Sequence, residues 1–174
     1  MTFPKPLLYL LLALPISLFY GATYGTALSR SGIVASVLLL ITLAAPLLRR
    51  LVPQLLRCRR ALGVAAFLYS ALHLAIYLFR NSDRALSAAI TPELLTGWLA
   101  FLVWAALAFT SRDAAVRAMG PRWRKLHRLS WPAAWLLFLH WFLTAFDPWP
   151  GAILFGAGLA ALTLLRARKR YRSR

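Results

Sequence analysis

Long apolar stretches alternate along this chain with short polar connections that are mostly basic. A helix rises 1.5 Å per residue, so crossing a hydrocarbon layer of about 30 Å takes about 17 or more apolar residues. Stretches of that kind run at Leu7–Tyr24, Gly32–Leu48, Ala61–Phe79, Leu94–Thr110 and Leu126–Phe146, with a shorter one at Gly151–Leu165. They predict an all-α integral membrane bundle of about six transmembrane helices, or five if the last fails to borrow from its flanks. The connections leave no room for a folded soluble domain, so 1–174 reads as one transmembrane domain. No internal repeat and no glycine-rich phosphate loop is visible, and the lone Gly21–Gly25 pair falls at a helix end.

Composition strengthens the membrane assignment: 61% of residues are hydrophobic and only four are acidic. A net charge of +17 raises the question of nucleic acid, but the placement of the charges answers it. With a cytoplasmic N-terminus, alternate connections hold Lys5; Arg49, Arg50, Arg57, Arg59 and Arg60; Arg112, Arg117, Arg122, Arg124, Lys125 and Arg128; and Arg166, Arg168, Lys169, Arg170, Arg172 and Arg174. Only Arg30, Arg80 and Arg84 fall on the other side. This positive-inside bias predicts both termini in the cytoplasm, with the basic runs setting topology and touching anionic lipid. Nucleic acid is not needed to explain them. The first stretch also has the look of a signal peptide; a retained span is the preferred reading, and the orientation is the same either way. Cys58 stands alone, which excludes an internal disulfide, a CxxCH haem attachment and a cysteine zinc cluster.

Polar side chains within the spans are costly and mark sites. Asp83, Glu93, Asp113 and Asp147 all fall at span ends or in connections, which argues against a carboxylate proton relay. His73 and His140 do lie inside spans, each six residues, or about 9 Å, before the outer end. Two neutral imidazoles at one level on neighbouring helices suit a six-coordinate b-type haem iron. The same pattern also suits buried histidines bonded to a helix carbonyl or hydroxyl. Zinc fits less well, since it normally takes three or four protein ligands.

His127, 13 residues before His140, lies about 20 Å nearer the cytoplasm on a continuous helix. Arg60 occupies the matching position before His73 and is no haem ligand. His127 therefore either lines a cytoplasmic-side cofactor pocket, with Pro132 rotating the helix, or caps an interfacial helix end. Trp135, Trp141 and Tyr69 are candidates to pack on a porphyrin, but for the tryptophans lipid-facing packing and the interfacial belt are the preferred reading, above all for Trp123 and Trp149. Arg57, Arg59 and Arg60 have the chemistry for haem propionates or a flavin phosphate, and equally for topology and lipid.

The segments "RRALGVAAFLYSALHLAIYLF" (Arg59–Phe79), "LAFTS" (Leu107–Ser111) and "GPRWRKLHRLSWPAAWLLFLHW" (Gly120–Trp141) resemble the ferric reductase-like transmembrane family. The resemblance covers Ala45–Trp141, giving a family core of about 45–146, and is greatest to haem-binding membrane subunits of periplasmic methionine sulfoxide reductase systems. It implies a multi-pass protein of the bacterial inner membrane, an oxidoreductase subunit whose substrate chemistry lies on a partner. It further implies haem b with His73 and His140 as axial iron ligands, His127 at a second cofactor or cytoplasmic-side site, and FMN as a possible further cofactor. Electrons would come from a cytoplasmic flavin reductase or quinol and leave to a periplasmic molybdopterin oxidoreductase that reduces oxidised methionine. The membrane potential favours that direction, by about 2.3 kcal/mol per electron per 100 mV. The chain departs from that group in the short segment "RNSDRALSAAITPELLTG" and in a tail that ends soon after Arg166, which bears on the periplasmic partner. Two alternatives remain: a stand-alone ferric-chelate reductase, although no fused flavin or nicotinamide domain is encoded, and a structural membrane protein without redox chemistry.

Overall fold

Prolines and small polar residues set the helix boundaries. The computed structural model describes residues 5–85, 90–144 and 149–171, and no strand occurs among them. Helix α1 (Lys5–Ala13) gives way at Pro15 to a 3-10 turn, Leu14–Phe19, because proline has no N–H to continue the α ladder. Gly21 then turns the chain with φ +64°, a conformation that glycine adopts at little cost. Helix α2 (Tyr24–Ala44) starts on Thr23, whose side chain accepts from the Thr26 N–H, and ends just before Pro46. Proline occupies the first turn, where its missing N–H is harmless, of α3 (Pro53–Ala85), α4 (Pro92–Phe109), α6 (Pro121–His127), α7 (Ser130–Thr144) and α8 (Trp149–Tyr171). The short α5 (Asp113–Met119) is closed by Gly120 at φ +51°. Helix α3 kinks at Asn81 (φ −122°, ψ 24°).

The chain forms two compact units, Met1–Ala88 and Ala89–Arg174. In the first, α2 and α3 run antiparallel. Arg59 Nε donates to Thr42 O (3.2 Å) at one end, and Asn81 Nδ2 donates to the Tyr24 hydroxyl (2.8 Å) at the other. Their shared face is a helical stripe, Ala35, Leu38, Leu39 and Leu43 against Leu62, Ala65, Ala66 and Tyr69. Tyr69 donates its hydroxyl to Leu12 O (3.0 Å), tying α1 to α3.

In the second unit α7 packs between α4 and α8. Small residues permit close approach: a Cβ on Gly156 would stand 2.4 Å from Phe138 Cε2, and one on Gly151 would stand 3.0 Å from Trp141 Cζ2.

Large apolar side chains face outward on both units, among them Leu68, Leu102 and Leu154. Such a surface suits lipid as solvent. Among the described residues four helices, Tyr24–Ala44, Pro53–Ser82, Pro92–Phe109 and Pro150–Lys169, are long and apolar enough to cross a membrane, and Leu8–Phe19 is a shorter apolar segment. The chain is an integral membrane helical bundle. One expectation is corrected: the apolar run Leu126–Phe146 is not one helix but breaks at Arg128–Leu129. Pro132 cannot donate to Arg128 O and its ring crowds that carbonyl, so Arg128 O accepts from Trp131 N instead (3.3 Å). The expected span end, Phe146, and Asp147 lie outside the described residues, as do Arg172 and Arg174.

Candidate functional site

His73 and His140, the two histidines that the sequence places inside apolar runs, are each held by a backbone carbonyl of the neighbouring helix. His73, on α3, donates Nδ1–H to Leu28 O of α2 (2.9 Å), with Ser31 Oγ 3.3 Å from the same nitrogen. His140, on α7, donates Nδ1–H to Glu93 O of α4 (2.6 Å). A carbonyl can only accept, so Nδ1 carries a proton in both rings, and in the neutral imidazole the lone pair resides on Nε2. That tautomer, fixed by a backbone carbonyl, is the form in which histidine ligates a metal through Nε2.

The sequence did not reveal the glycines beneath these rings. A Cβ on Gly97 would lie 2.7 Å from His140 Nδ1 and 2.9 Å from Cε1; on Gly32 it would lie 3.2 Å from His73 Nδ1 and 3.3 Å from Cε1. Both rings lie close against the neighbouring helix backbone, which only the lack of a side chain permits. The signal was a glycine inside an apolar stretch, but spacing along one helix does not say which partner approaches it.

His127 is bound differently. Its Nε2 is 3.1 Å from Thr110 Oγ1, and that hydroxyl already donates to Ala106 O (2.7 Å), so Nε2–H donates to it. The ring stacks on Trp123 at 3.9 Å, and Trp123 Nε1 donates to Thr110 O (2.9 Å). His127 and Trp123 thus close the C-terminal end of α4, where carbonyls lack helical partners. His140 meets the other end of α4, 17 residues or about 25 Å away, so His127 and His140 are not brought together.

The remaining aromatic candidates are engaged within their own units. Trp141 packs on Phe155 (5.8 Å) and Trp135 stands edge-on to Phe138 (5.8 Å). Arg59 is tied to Thr42 O, and Gly63 meets only Thr42 Cγ2 at an ordinary 3.5 Å.

The donor set fits a ligated cofactor in a second respect. The indole N–H of Trp104 is buried and has no acceptor, an arrangement that ordinarily costs about 1–3 kcal/mol. It lies two turns from Gly97 on the same face of α4, about 10 Å along the axis. Among the described residues no three of His, Cys, Asp and Glu converge as a metal cluster. At the basic end of the second unit, Arg128, Trp131, Trp135, Thr163, Arg166 and Tyr171 line a cleft of about 590 Å³, with the Arg166 guanidinium 4.5 Å from the Trp131 ring centre.

The chain is an all-helical membrane protein in which His73 and His140 each donate Nδ1–H to a backbone carbonyl of a neighbouring helix. Residues 30–139 match the ferric reductase-like transmembrane component family, and the chain belongs to that family. It is 35% identical over 190 residues to the protein-methionine-sulfoxide reductase heme-binding subunit MsrQ of Bordetella pertussis, covering 98% of this chain and 91% of the relative. The MsrQ subunit of Yersinia pseudotuberculosis is 35% identical over 171 residues, covering 92% of this chain and 83% of the relative. No solved structure matches the chain.

Proposed function

We propose that this protein is a haem-binding membrane electron-transfer subunit serving a methionine sulfoxide reductase, with His73 and His140 as the iron ligands. The observation that carries the reading is the shared tautomer: both imidazoles donate Nδ1–H to a backbone carbonyl and keep the Nε2 lone pair. When bound, haem b supplies reversible one-electron chemistry. The chain holds both rings at fixed angles against glycine and raises their basicity through the carbonyl bonds. The close likeness to MsrQ subunits over nearly the whole chain supports the assignment of the partner.

In this reading both termini face the cytoplasm of a bacterial cell, and the eighteen basic residues on that side lie against anionic lipid. Electrons enter from quinol or a flavin reductase and leave outward to a periplasmic molybdopterin reductase. The test is direct. Under anaerobic conditions dithionite-reduced protein, freed of excess reductant, should be fully reoxidised by a catalytic amount of the partner reductase together with excess methionine sulfoxide, and not by methionine sulfoxide alone. Failure to reoxidise with both present would contradict the electron-transfer role. FMN, the other cofactor that the resemblance implies, is tested by acid extraction of the same preparation; the haem reading stands without it.

His127 lies outside the haem site in this account, because it is engaged through Nε2. His127→Ala is expected to retain haem and to lose about 1–2 kcal/mol of stability, from one hydrogen bond and one ring stack. Haem content and thermal melting of the same sample check this.

A further inference from the structure

The two histidine seats place the same three kinds of group at the same offsets. Leu28 O accepts from His73, the hydroxyl three residues on, Ser31 Oγ, donates to that same carbonyl (2.8 Å), and Gly32 follows. Glu93 O accepts from His140, the hydroxyl three residues on, Thr96 Oγ1, donates to that same carbonyl (2.8 Å), and Gly97 follows. "LSRSG" (Leu28–Gly32) and "ELLTG" (Glu93–Gly97) therefore place an acceptor, a hydroxyl and a glycine at identical offsets. The likeness is confined to these three positions and is chemical, so it leaves the reading of no internal sequence repeat as it stands.

Back-bonding hydroxyls are common in this chain; Ser36, Thr42, Ser70 and Thr163 all donate to the carbonyl four residues earlier. Ser31 and Thr96 differ in that their acceptor carbonyls also hold an imidazole. Thr96 shares its hydrogen between Glu93 O and Pro92 O (2.9 Å), while Ser31 Oγ also lies within reach of His73 Nδ1. A carbonyl oxygen that already accepts a hydroxyl hydrogen is a weaker acceptor for the next donor. The hydroxyl thus limits how far the carbonyl draws the Nδ1 proton, and with it how strongly Nε2 donates to a metal.

We propose that Ser31 and Thr96 are positioning residues that set the midpoint potential of the bound haem by moderating the Nδ1–H···O=C bonds of His73 and His140. This rests on the haem reading above. Without the hydroxyl, the carbonyl pulls harder on Nδ1–H, Nε2 becomes a stronger donor, and the ferric state gains.

The experiment is a redox titration of the full-length purified protein, read by its haem absorbance, for wild type, Ser31→Ala, Thr96→Val and the control Thr163→Val. Ser31→Ala and Thr96→Val should each retain haem and shift the ferric-to-ferrous ratio at fixed potential about two- to fivefold toward ferric, about 20–40 mV for a one-electron couple. Ser31→Thr and Thr96→Ser should return it to the wild-type value, and Thr163→Val should not move it. Unchanged potentials in haem-loaded Ser31→Ala and Thr96→Val overturn the proposal while leaving the haem reading intact. Haem loss with no shift in the fraction still loaded also overturns it, since the hydroxyls are then structural only. A wild-type protein that takes up no haem removes the haem reading and this proposal together.

Discussion

Replacing His73 or His140 with alanine is expected to remove haem from the purified protein, either change alone being enough to lose most of it. In the proposed reading each ligand comes with its own seat, so one intact seat would leave the iron a single protein ligand. The loss is expected to exceed about tenfold in haem per chain, equivalent to at least about 1.4 kcal/mol of binding. Circular dichroism of the same samples should show the helical content unchanged, because both rings occupy positions in helix interiors where alanine is the better helix former. Wild-type haem content in both variants would sink the ligand assignment.

Gly97→Ala is expected to have the second largest effect, and it removes no ligand. The new Cβ would meet the His140 ring at 2.7 Å and 2.9 Å, closer than such contacts allow, and the ring is pinned by its 2.6 Å bond to Glu93 O. The ring must swing or the helices must part, at a cost of about 1–3 kcal/mol. Haem content should fall several-fold, even though alanine favours the helix over glycine by about 1 kcal/mol. Gly32→Ala, with its contacts at 3.2 Å and 3.3 Å, should lose less. The ordering is the sharp part of the prediction. If Gly32→Ala loses more haem than Gly97→Ala, the seat geometry described here is wrong. Haemochrome quantitation of the two variants beside wild type decides it.

The parts of this account differ in how legible they were in the sequence. The membrane class was plain, since apolar runs of span length separated by basic connections admit few other folds. His73 and His140 stood out because a polar ring inside an apolar run is costly and rare. Helix limits were less legible. Helix α3 begins at Pro53 although its apolar run begins at Ala61, and α8 continues through its basic tail to Tyr171. Hydropathy reports the lipid layer, whereas the backbone ladder continues beyond it.

The break at Arg128–Leu129 was hidden for a related reason. Leu126–Phe146 is apolar enough overall to read as one run despite Arg128, and Pro132 suits a kink as well as a first turn. The histidine seats were the least legible feature. Leu28 O and Glu93 O are backbone atoms, and every residue has one. Only the packing of α2 on α3 and of α4 on α7 selects those two carbonyls, and with them Ser31, Gly32, Thr96 and Gly97.

The central claim is that this chain carries haem b on His73 and His140, and the most direct measurement is a dithionite-reduced minus oxidised absorbance spectrum of the purified wild-type protein, with haemochrome stoichiometry. The account predicts a b-type spectrum at one haem per chain. A preparation that stays colourless after haem is supplied would contradict it.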